Sequence, residues 1–160
     1  MSPELAMRAC HLSRVSPFSG SRTNFHTVNA DLALPSGFIL APIDTVRRRV
    51  PGAGETWRNG VAAITVVTIG RPYDWERNRA TMEQHEACSD TEAAGGAVAF
   101  RRYIDLTAYA PVGVALAIWP QGRDSLILVS AAGPPSVSAL DTLEAIVRSV
   151  RRAREAAKRN

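Results

Sequence analysis

The chain has 160 residues, a size at which one domain buries most of its apolar surface and two would be cramped. With 46% hydrophobic and 21% charged residues the composition is globular, which excludes a largely disordered chain. The formal charge is +4, yet Lys158 is the sole lysine among 19 basic residues, a skew that a GC-rich genome explains before any phosphate-binding role is needed.

The first 24 residues mix Ser, Arg, Pro and Gly without sustained periodicity and are read as an irregular N-terminal arm. They carry no basic segment followed by an unbroken apolar core, so no secretory signal is read and a cytoplasmic location is expected. Cys10 and Cys88 are the only cysteines; one possible bridge is no disulfide framework, and both are read as free thiols. A single α/β domain is expected over residues 25–152, followed by a basic extension over 153–160.

Alternating apolar positions at Val28, Leu32 and Leu34, a Pro-Ser-Gly turn at 35–37 and the apolar piece Phe38 to Leu40 predict two short strands. The triplet Arg47, Arg48, Arg49 and the run Pro51-Gly-Ala-Gly54 suit an exposed loop. Between Trp57 and Ile69 both phases are apolar, the pattern of a strand covered on both faces. Asp74 is placed to cap a helix running to about Ala87, with Trp75, Arg79, Met82 and Glu86 on one face, and an acidic, turn-rich linker then leads to Gly95-Gly96.

Three strands are predicted next, Ala97 to Leu106, Val112 to Trp119 and Ser125 to Ala131, with turn chemistry at 120–124 joining the last two as an antiparallel hairpin. No uncharged stretch approaches the roughly 20 apolar residues of a spanning helix, since the longest is broken by Pro111, Gly113 and Pro120. The last element is an amphipathic helix from Ser138 to about Lys158. Ser138 and Asp141 resemble a capping box, and Leu140, Leu143, Ile146, Val147 and Val150 form an apolar stripe. The fold class read from this order is α+β: an antiparallel meander flanked by helices, closed by a long C-terminal amphipathic helix.

The residues that carry chemistry are sparse. His85 and Cys88 stand three apart on the predicted helix and Cys10-His11 would complete a zinc set, but the spacing is not that of a finger. The serines lack a Gly-x-Ser-x-Gly elbow, and His11, His26 and His85 fall in an arm, a strand start and a helix end. No catalytic residue, metal site or cofactor is therefore assigned. Residues 74–92 carry six acids against two arginines, and residues 148–159 carry six basic residues against one acid, a polarity able to steer a charged partner. Trp57, Trp119 and Tyr109, with Arg151, Arg152 and Arg154, are the candidate partner-binding residues.

The turn Leu34-Pro-Ser-Gly-Phe38, the strand Leu126-Ile-Leu-Val-Ser130 and the closing helix Ala139 to Val150 together resemble the PsbP-like fold, a group that includes DcrB-like bacterial proteins. The resemblance covers about residues 27–152 and rests on element order and short apolar motifs. It implies an antiparallel sheet flanked by helices and a non-enzymatic binding, accessory or chaperone-like role. A small bacterial protein that binds another protein, or itself as a homodimer, is the expectation. The alternatives are a carrier of lipid-like small molecules or a cyclase-like enzyme on a helix-grip scaffold, and nucleic-acid binding through the basic tip.

Overall fold

A computed structural model of the chain describes residues 3–14, 22–26, 30–41, 55–60, 62–70, 84–94, 98–107, 109–121 and 125–152. In chain order these form α1 (Pro3–Cys10), β1 (Arg22–His26), β2 (Ala30–Pro35), β3 (Ile39–Leu40), β4 (Glu55–Asn59) and β5 (Ala62–Gly70). There follow β6 (Glu86–Ala94), β7 (Val98–Asp105), β8 (Val112–Gln121), β9 (Ser125–Gly133), α2 (Val137–Ser149) and β10 (Arg151–Arg152). The fold is α+β with antiparallel pairing throughout these strands.

Seven strands make one sheet in the order β3-β4-β5-β9-β8-β7-β6, and β1, β2 and β10 make a second, smaller one. β7, β8 and β9 are a meander, and β9 sits in the middle of the large sheet because the β8–β9 hairpin returns along β5. Alternation along each strand divides the side chains between two faces. One face carries Trp57, Ile64, Val66, Ile104, Ala115, Ala117, Val129 and Ala131, and these share a core with Leu32 and Leu34 of the small sheet and with Leu140, Leu143, Ile146 and Val147 of α2. The other face buries Tyr103, Val114, Leu116 and Ile118.

The helix lies directly on the sheet because the strands beneath it carry small residues. A side chain at Gly113 would come within 2.8 Å of the Pro134 carbonyl oxygen and 3.0 Å of Leu140, and one at Gly133 within 3.2 Å of Leu143. α2 is capped two residues earlier than the spacing predicts, at Ser136 and not at Ser138. Ser136 is its N-cap, with Oγ accepting from the Ala139 N–H at 3.2 Å, while Asp141 is engaged elsewhere.

Five expectations are corrected. The terminal helix does not run to Lys158: it ends at Ser149, Val150 turns extended, and Arg151 and Arg152 pair with Asp31 and Ala30 of β2, so the backbone finds its hydrogen bonds in a sheet instead of another helical turn. Residues 1–24 are not wholly irregular, since they contain α1 and most of β1. Glu86 and Ala87 do not end a helix, and the acidic linker to Gly95 is largely the edge strand β6. Cys10 and Cys88 are not free thiols; they form a disulfide with Cα atoms 5.9 Å apart. The apolar run 57–69 is two strands, β4 and β5, separated at Gly60, whose φ of +58° suits a glycine turn. The Arg47–Arg49 loop, Trp75, Arg79 and Met82 lie outside the described residues.

Candidate functional site

Among the described residues, beside the exposed Ile39–Leu40 pair of the edge strand β3, a buried charge cluster and an exposed end of the sheet bring polar or apolar side chains together. The first is built on Arg101 and Arg102, neighbours on β7 that point to opposite faces, and both are fully buried. Arg101 forms a two-pronged ion pair with Glu86, each nitrogen 2.6 Å from a carboxylate oxygen, and its Nε donates to Thr91 Oγ1 at 3.1 Å. Glu86 reaches that face because β6 bulges at Ala87: Glu86 opposes Asp105 while Cys88 already opposes Ile104. The extra residue re-aims the carboxylate toward Arg101.

Arg102 points to the α2 face. Its Nη1 contacts Asp141 at 2.6 Å and Glu144 at 3.0 Å, and its Nε donates to the Ala9 carbonyl at 2.6 Å, at the end of α1. Glu144, also buried, accepts from the backbone N–H groups of Ser13 and Arg14, both at 2.9 Å, and from Arg148 Nε at 2.8 Å. Arg148 extends the network to Glu92 at 2.9 Å and lies over the Phe100 ring, 4.4 Å from its centre. Leu12 N–H donates to Asp90 at 2.8 Å, with His11 3.3 Å from the same carboxylate. Residues 3–14 thus form a strap across β6, β7 and α2, tied by its main chain to charged side chains.

The electrostatics follow from this geometry. Burial opposes ionisation of Glu144, but the Ser13 N–H, Arg148, Arg102 and the Arg14 N–H outweigh it and hold the carboxyl at about 2. The hydrogen bond from Arg148 likewise holds Glu92 below the ordinary carboxylate range. Burial disfavours the charge on Arg148, and Glu144 and Glu92 overcome it. Every charge in this cluster has an opposite one in contact, as buried ions require.

The second region is the end of the sheet where β7 turns into β8. Leu106 and Tyr109 are exposed there, Tyr109 wholly so, and the pairing of Ile104 with Gly113 and of Gly113 with Gly133 brings the start of α2, with exposed Val137, to the same end. The predicted partner-binding residues separate in space. Trp57 is buried to 1% exposure, 5.5 Å from Phe25 ring to ring, so it belongs to the core and cannot contact a partner. Trp119 pairs with Ile127 in the β8–β9 ladder; Arg151 and Arg152 are in β10; Arg154 lies outside the described residues. Of the two candidates whose side chains are described, Trp57 is buried and Tyr109 is open at the surface.

The two cysteines weighed and set aside as zinc ligands are joined in the disulfide, and no metal-ligating cluster occurs among the described residues. Sequence reasoning missed Arg102, Glu144 and Glu86. The signal that points to them is the charged pair Arg101-Arg102 inside an otherwise apolar strand, which demands two carboxylates, one per face. No described helix is long and apolar enough to cross a membrane. Compared with models of known protein families, the chain matches none, and no curated protein matches it.

Proposed function

We propose that this chain is a small bacterial, non-enzymatic protein-binding or accessory module that works in the cytoplasm and engages another protein, or a second copy of itself, through the β7–β8 end of the large sheet. The observation that carries the reading is the wholly exposed Tyr109, at the same end of the sheet as the exposed Leu106 and Val137. An aromatic side chain held out in water supplies a large contact area at small entropic cost, which is what interface anchors do. The meander β7-β8-β9 followed directly by α2 supports a PsbP-like or DcrB-like assignment within that reading.

The close approach of α2 to Gly113 and Gly133 weighs against a carrier, whose ligand needs space between helix and sheet. Nucleic-acid binding is weakened because Arg148 is committed to Glu144 and Glu92. The test is a photoreactive residue placed at Tyr109 in one variant and at Thr142, exposed on α2, in another, followed by irradiation in bacterial cells. A discrete protein adduct at position 109 and none at 142 is the expected result. Equal labelling at the two positions, or none at either, defeats the proposal.

A further inference from the structure

The strap has few apolar contacts for its length. α1 is eight residues, too short to hold together in water by itself, and its buried apolar side chains are Ala9 and Cys10, with Leu12 just beyond, while Leu5 and Met7 are exposed. Its other attachments include hydrogen bonds to Arg102, Asp90 and Glu144, the contacts of Arg14 with Glu92 and of His11 with Asp90, and the bond from Cys10 to Cys88. Beneath it lie the ions Arg102 and Glu144, beside the margin of the main core where Ala9 and Cys10 pack. Lifting the strap would return Arg102 and Glu144 to water, where charges are comfortable, instead of exposing a broad apolar surface. The disulfide joins residues 78 apart in sequence, so it strongly limits how far the strap can leave.

From this we infer that Cys10–Cys88 is a redox-controlled latch: oxidised, it holds residues 3–14 down over Arg102 and Glu144; reduced, it lets that segment lift while the sheet stays folded. The reaction is thiol–disulfide exchange with a dithiol. A dithiol thiolate attacks the sulfur of Cys88, which is partly exposed on the edge strand whereas Cys10 is buried, and Cys10 leaves as a thiolate that takes up a proton. The second dithiol sulfur closes on the first, expels Cys88 as a thiolate that is protonated in turn, and departs as a disulfide. Two electrons pass from the dithiol to the protein. Such a latch is compatible with the cytoplasm, where protein disulfides form transiently and report oxidation.

The full chain, oxidised with glutathione disulfide and then treated with increasing dithiothreitol, is followed by amide hydrogen exchange. The amides of Leu12, Ser13 and Arg14, which donate to Asp90 and Glu144, are expected to exchange about 10- to 100-fold faster after reduction, with the amides of β8 and β9 unchanged. The double variant Cys10→Ser, Cys88→Ser should show the fast exchange with or without reductant. Three results overturn the inference: equal strap protection in both redox states, loss of protection throughout the sheet on reduction, or no Cys10–Cys88 bridge in the peptide map of the glutathione-treated protein.

Discussion

The strap containing α1 and the helix α2 meet on one face of the sheet, and they are held there by different physics. α2 buries Leu140, Leu143, Ile146 and Val147 in the main core, a contact that is non-directional and costs free energy to undo anywhere along its length. The strap at residues 3–14 is held by directed bonds to charged groups and by one covalent link. The two are joined at Glu144, which is carried by α2 and grips the strap. An apolar clamp resists release; a charged seat, already provided with its own ion pairs, is suited to an element that is held conditionally.

The largest expected effect comes from removing the cation at the centre of that seat. Arg102→Met leaves the Ala9 carbonyl without its buried donor and deprives Glu144 and Asp141 of a partner. A loss of about 3 kcal/mol is expected in urea unfolding of the oxidised protein, since breaking one side of a buried pair costs roughly 3–5 kcal/mol and Glu144 keeps Arg148. A loss below about 1 kcal/mol would mean that water readily replaces the guanidinium, and the contrast with α2 would fail.

Acid should weaken the same seat. Glu144 has a folded-state pKa of about 2 against an ordinary 4.5, so its contribution is fully present above pH 4.5 and disappears as pH falls toward 2. At neutral pH Glu144→Gln should therefore be less stable than the parent by on the order of 2 kcal/mol, and the gap should close as pH is lowered through that window. A gap that stays constant down to about pH 2 would show that the carboxylate charge is not what holds the strap.

The same contrast explains what was legible in the sequence. β7, β8, β9 and the core face of α2 announce themselves by apolar periodicity, and each forms close to where the pattern puts it. β6 is silent because it carries Glu86, Asp90, Thr91 and Glu92, which are bound by Arg101, by the strap and by Arg148; a strand so rich in polar groups has the composition of a linker. α1 is silent for a related reason, being short and small on its buried side. The end of α2 is hidden in the sequence because Arg, Ala and Glu after Val150 all favour helix, and only the tertiary position of β2 selects strand pairing for Arg151 and Arg152. Of the candidate site residues, Tyr109 is exposed and Trp57 is core, a difference that composition alone does not carry, since a tryptophan serves equally in a core or an interface.

The smallest expected effect separates the two regions most cleanly. Ser136→Ala removes the hydroxyl that caps the Ala139 N–H and should cost about 1 kcal/mol, a fall of about 2–4 °C in Tm for a chain of this size. The cap lies two turns from Glu144, and Leu140 and Leu143 anchor the helix between them, so fraying of the first turn should stop before it reaches the carboxylate. Exchange of the Ser13 and Arg14 amides in the oxidised protein should then match the parent. If those amides also lose protection, the strap reads the state of the whole helix through Val137, whose carbonyl accepts from Arg102 Nη2 at 3.3 Å, and clamp and seat form one cooperative unit.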